Sequence, residues 1–165
     1  MLLDHAPFTP VRQTYGPLPT PKVPRAAPLT FECKVDIFLK DSNAYGNTYF
    51  SRYFEWQGVC RERWFFECVA PDMLRTLGVL ITKRAHQEYA HETMPFQSIV
   101  CRLNSFDVRQ CSFYLLFSFE AATQVVATGY QQIVFATHDK HIQRLPANVL
   151  EKISRFELAG DPLQP

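Results

Sequence analysis

The chain has 165 residues, a net charge of +1 at pH 7 and 14% aromatic residues, with 14 Phe. That length suits one domain with a sizeable core, and the balanced charge gives no electrostatic case for nucleic acid or an anionic membrane surface. No uncharged apolar run approaches the roughly 18–20 residues needed to span a membrane, and Met1-Leu2-Leu3 runs at once into Asp4 and His5, so no signal-peptide apolar region forms.

Residues 1–28 hold seven of the twelve prolines, which bars helix and central strand and predicts an extended arm. The domain is expected over 29–157 and a tail over 158–165. From Leu29 to Leu39, Phe31, Cys33, Val35, Ile37 and Leu39 alternate with Glu32, Lys34 and Asp36, a strand with one buried face. A polar turn, Asp41 to Gly46, leads into a long helix ending near Val69. Its apolar residues cover more than half the circumference, so it should be wrapped by sheet or buried by a second subunit as well. After Gly78 four strands follow: Val79 to His91, Phe96 to Phe106, Gln110 to Ala121 and Val125 to Thr137. Turn cues at Asp107 and Ala121-Ala122-Thr123 suggest a meander. Pro146 to Phe156 reads as a terminal helix with its proline near the first turn. One strand, one helix and four strands, without repeated βα units, predict an α+β fold: a helix across a curved antiparallel sheet of about five strands.

A turn rich in Asp, Asn and Gly that opens into a helix sets free N–H groups beside short polar side chains, a geometry suited to an oxyanion. The backbone N–H groups of Gly46 and Asn47 are the candidates, and Gly46 permits close backbone approach. Tyr53 and Arg61, eight residues apart, lie about 12 Å along a helix axis and about 80° in rotation, so they would line different parts of one groove. Asn43 serves equally well to brace its own turn, Tyr53 to fill the core, and Arg61 to pair with Glu55, Glu62 or Glu67. Five cysteines, Cys33, Cys60, Cys68, Cys101 and Cys111, without CxxC spacing, read as reduced buried thiols of a cytoplasmic protein. His138-x-x-His141, His86 and His91 lack a third ligand at suitable spacing, so neither metal nor other cofactor is expected.

The layout, with Asp41-x-Asn43-x-x-Gly46 and Tyr53-Phe54-Glu55, resembles the hotdog-fold thioesterases of the 4-hydroxybenzoyl-CoA thioesterase superfamily over about residues 30–140. Within it, the run from Asn43 through Trp56-Gln57-Gly58 to Arg61 is most similar to the enediyne polyketide thioesterases. The usual superfamily motif has a second Asp, as nucleophile or base, where this chain has Asn43. An amide can donate hydrogen bonds and orient water but cannot accept the proton. The enediyne group also lacks that acid, and its set of Asn, Tyr, Arg and Thr falls on Asn43, Tyr53, Arg61 and Thr82. Glu55 is the helix carboxylate that could serve as base, although a Glu here also fits a structural role. The resemblance implies hydrolysis of a β-ketoacyl polyene thioester from the acyl carrier protein of an iterative polyketide synthase, with decarboxylation of the released acid. It also implies active sites between two chains and a homotetramer. A general acyl-CoA thioesterase, and a hotdog protein that binds acyl chains without catalysis, are the alternative readings.

Overall fold

A computed structural model describes residues 27–160, 162 and 163. Of the arm expected over 1–28, all but Ala27 and Pro28 lies outside the described residues. The strands are β1 (Phe31–Asp36), β2 (Val79–Tyr89), β3 (Ser98–Phe106), β4 (Ser112–Ala121) and β5 (Gln124–Ala136). They form one antiparallel sheet in the order β1-β3-β4-β5-β2. The meander is thus confined to β3, β4 and β5, whose links turn tightly. The chain from β2 to β3 instead crosses from one side of the sheet toward the other, which leaves β1 and β2 as its two edges.

The long helix α1 (Arg52–Trp64) continues into a wider π turn over Phe65–Val69, where the Ala70 N–H reaches back to the Phe65 carbonyl at 3.0 Å. Tyr53, Trp56, Gln57, Cys60 and Trp64 are buried, a spacing of three and four that lays one helix face on the sheet. Contacts of α1 with both β1 and β2 show that the sheet wraps it from edge to edge. On the sheet side, inward residues recur at every second position, among them Ile99, Cys101 and Leu103 on β3 and Phe113, Leu115, Phe117 and Phe119 on β4. A short helix α2 (Met73–Thr76) precedes β2. The terminal helix α3 (Ala147–Ser154) closes one end, with Phe156 edge-on to Trp64 at 5.6 Å.

The wide apolar face expected of α1 divides in two. Its sheet-facing part is covered, whereas Phe54, Val59 and, in the π turn, Phe66 remain 38%, 51% and 64% exposed. Phe50 and Tyr45 ahead of the helix are also exposed. Among the described residues, no helix is long and apolar enough to cross a membrane.

Candidate active site

The turn before α1 is more elaborate than its composition suggests. The Asp41 carboxylate is buried and accepts from the Phe38 N–H and from Lys40 Nζ, both at 2.9 Å. Burial alone would raise its pKa, but these donors and the nearby Arg52 hold it below the usual carboxylate value. Asn43 accepts the Tyr45 N–H at Oδ1, 2.8 Å, an Asx turn. That bond fixes the amide orientation and leaves Nδ2 as the end able to donate to a ligand. The Asn43 N–H reaches the Asn47 carbonyl at 2.9 Å, and Ser42 bridges Thr48 across the loop.

Gly46 and Asn47 therefore do not stand at a helix start. Closing this small loop and docking Thr48 on the Thr93 carbonyl take up the residues before Ser51, so α1 begins at Arg52. The Gly46 N–H is directed to the Asn43 carbonyl at 3.0 Å, with Gly46 at φ +88°, a left-handed conformation that suits glycine. As an oxyanion donor it would first have to give up that bond.

Tyr53 is buried, edge-on to Trp56, Tyr89 and Phe119, and its hydroxyl meets Thr93 Oγ1 at 2.8 Å. Thr93 Oγ1 lies 2.7 Å from Thr48 Oγ1, which donates to the Thr93 carbonyl at 3.0 Å. With every hydroxyl hydrogen partnered, Tyr53 donates to Thr93, Thr93 to Thr48, and Thr48 to the carbonyl. The phenol oxygen then offers a lone pair rather than a proton. Burial raises the Tyr53 pKa, so the phenol stays neutral through the physiological range.

Asn43, Asn47, Tyr53, His91, Glu92 and Thr93 help to line a cleft of about 310 Å³. The Glu92 carboxylate accepts Asn47 Nδ2 at 2.7 Å. Sequence reasoning passed over Glu92, because it stands in the link after β2 and joins the turn only through the fold. Glu55, by contrast, lies on the exposed side of α1 with both carboxylate oxygens on Arg52 Nη1, at 2.9 and 2.7 Å. It is not among the residues lining the cleft.

Arg61 stands two turns further along α1. Its Nη1 donates to Thr82 Oγ1 at 2.6 Å and to Gln131 Oε1 at 2.9 Å, while Nη2 has a longer 3.6 Å contact with the exposed Glu62. Thr82 reaches this point because β2 bulges. Thr82 pairs with Ile133 and Arg84 with Gln132, so Lys83 is the extra residue. The bulge shifts the helix-facing positions from Leu80 and Thr82 to Ala85, Gln87 and Tyr89. Within one chain the expected residues thus fall into two groups, Asn43 with Tyr53 and Arg61 with Thr82. Sequence reasoning also missed the buried Gln57 and Gln131; the available signal was that Gln131 shares strand parity with Ile133 and Phe135, both buried.

No curated protein matches the chain. Solved structures with the same architecture include the dynemicin thioesterase, studied with bound polyene (20% identity, TM-score 0.71, covering 79% of this chain and 99% of that one). An Asp-to-Asn mutant of 4-hydroxybenzoyl-CoA thioesterase in complex with 4-hydroxybenzoyl-CoA is similar at 17% identity and TM-score 0.70, over 76% and 99% of the two chains. The 1,4-dihydroxy-2-naphthoyl-CoA thioesterase from Synechocystis matches at 16% identity and TM-score 0.68, over 75% and 95%. These likenesses give the hotdog fold. Residues 37–153 match the family model of the thioesterase-like superfamily, and the chain therefore belongs to that superfamily of thioester hydrolases.

Proposed function

We infer that the chain hydrolyses a β-ketoacyl polyene thioester carried by the acyl carrier protein of an iterative polyketide synthase. The observation that best supports this reading is the 2.6 Å bond from Arg61 to Thr82, which joins two residues that the enediyne resemblance places in one set. In the reaction, water attacks the thioester carbonyl while Asn43 Nδ2 donates to the developing oxyanion. Arg61, charged at every relevant pH, binds the β-keto oxygen and the same negative charge. Tyr53 orients the water through its lone pair, and Glu92 receives the water's proton, the task of the carboxylate that position 43 lacks. The C–S bond breaks, the thiolate takes up a proton, and the released β-keto acid loses CO2 without further help.

Arg61 of one protomer would complete the cleft formed by Asn43 and Tyr53 of its partner. The open edge of β2 and the exposed Phe50, Phe54 and Val59 support pairing of two chains, and a homotetramer built from two such dimers is the assembly proposed. The free cysteines suit a reducing, cytoplasmic compartment. General acyl-CoA hydrolysis is the second reading, favoured by the likeness to structures of CoA thioesterases. Turnover of one β-ketoacyl chain on carrier protein and on CoA separates the two. Arg61→Ala should lower kcat/KM on the carrier-protein substrate about 100-fold or more, the usual worth of one charged donor at a transition state. Unchanged turnover would remove Arg61 from the mechanism.

A further inference from the structure

Arg61 is the head of a longer polar chain that runs back through the space between α1 and the sheet. Gln131, 4% exposed, accepts Arg61 Nη1 at Oε1, and its Nε2 donates to Gln57 Oε1 at 3.0 Å. Gln57, fully buried, donates from Nε2 to Gln87 Oε1 at 2.6 Å and to the His86 carbonyl at 3.0 Å. Gln87 then donates to the Thr128 carbonyl at 2.9 Å and to the Glu88 carbonyl at 3.2 Å.

Chemistry fixes the direction of every link. A guanidinium can only donate and a backbone carbonyl can only accept. All three amides must therefore point their oxygens toward Arg61 and their NH2 groups away from it. None can flip without setting NH2 against N–H, or oxygen against oxygen, inside the fold. The aligned amide dipoles thus present their negative ends to the guanidinium, and Nη1 is held by both its hydrogens.

The backbone is shaped for this arrangement. Gly129 on β5 lies against it, and a Cβ there would overlap Gln57 Nε2 and come within 2.5 Å of the His86 carbonyl and 2.8 Å of Gln87 Oε1. The bulge at Lys83 is what puts Thr82 on one side of Arg61 and Gln87 on the same face lower down the strand. Apolar side chains of similar size would fill this space with less demand on orientation.

We propose that Gln131 and Gln57, backed by Gln87, are positioning residues for the reaction: they seat Arg61 so that Nη2 and Nε meet the substrate's carbonyl oxygens. The inference rests on the role given to Arg61 above. It assigns the amides no contact with substrate; they act through the guanidinium alone.

A double-mutant cycle tests it. Gln131→Met preserves volume and removes both hydrogen-bonding ends. In the otherwise natural chain it should lower kcat about tenfold and leave KM within about twofold, whereas in an Arg61→Ala background the same change should cost less than about twofold. A merely structural glutamine would cost the same in both backgrounds, so equal losses overturn the proposal, as does an unchanged kcat in the single variant. Should Gln131→Met fail to fold, Gln57→Met, one link further from Arg61, takes its place in the same cycle with the same expectations. If Arg61→Ala lowers kcat and neither glutamine change does, the positioning role falls while Arg61 stands. Full turnover in Arg61→Ala removes both.

Discussion

At the first turn of α1 the hydroxyls of Tyr53, Thr93 and Thr48 pass their hydrogens along a short chain that ends on a carbonyl beside its own beginning. Two turns later Arg61 leads an extended chain of three amides that ends on β5. The first group follows a turn braced by a buried carboxylate, Asp41, whose backbone carbonyl accepts the Tyr49 N–H at 2.7 Å, and it looks onto a cleft through Asn43 and Glu92. The second contains no buried acid; its cation is partly exposed at one end, where exposed Glu62 lies 3.6 Å away. One end of the helix therefore depends on a charge that titrates, the other on groups that do not. The two ends of one helix should respond to different perturbations.

Gly129→Ala should have the largest effect and should fall on the amide end. The added methyl group displaces Gln57 or Gln87, which combines overpacking with a buried amide left unpaired. About 3 kcal/mol of stability is expected to be lost on those grounds, or roughly 10 °C in Tm for a chain of this size. Calorimetry measures it. A Tm within about 2 °C of the natural chain's would mean that the amides repack at little cost, and the contrast between a rigid and a titratable end would fail.

Acid should act on the opposite end. The folded-state pKa of Asp41 lies below the ordinary carboxylate value, because the Phe38 N–H, Lys40 and Arg52 outweigh its burial. Its contribution to stability is therefore complete above the unfolded-state value of about 3.9 and is lost as pH falls through the lower folded-state value. Below about pH 4, amide exchange in residues 38–52 should quicken before that of β5 beside the amide chain. Asp41→Asn should bring that quickening to neutral pH and flatten its pH dependence. Simultaneous loosening of both ends, with the same midpoint, would dissolve the distinction.

Much of this was legible in the sequence, and the gaps have definite causes. Alternation on β4 and the proline, glycine and aromatic punctuation placed all five strands, the long and terminal helices, and a short helical turn over Asp72 to Leu77 where α2 lies. The loop before α1 was not legible, because the bridge of Ser42 to Thr48 and the docking of Thr48 on Thr93 depend on a link 45 residues away. The resemblance named Arg61 and Thr82, but no periodicity could have paired them, since a one-residue bulge resets which side of β2 faces the helix. Adjacent Gln131 and Gln132 point to opposite faces; parity with Ile133 and Phe135 favours Gln131, but buried Val134 and Ala136 stand in step with Gln132, so that cue needs the sheet register beside it. Gly129, inside a strand, was the one sequence cue that something approaches the backbone closely there.

The smallest expected effect concerns the carboxylate that belongs to neither group. Glu55 points away from the sheet and shares its two oxygens with Arg52 Nη1 in an exposed pair. Such pairs are screened by solvent and contribute little, and no cleft residue touches this one among the described contacts. Glu55→Gln keeps the size and one acceptor while removing the charge. Turnover should match that of the natural chain, whereas Glu92→Gln in the same assay should lower kcat about 100-fold. A tenfold loss in Glu55→Gln, with Glu92→Gln unchanged, would move the base from the cleft onto the helix's outer face. It would then have to reach substrate bound by a second protomer, and the division of labour between the two ends of α1 would give way to one between subunits.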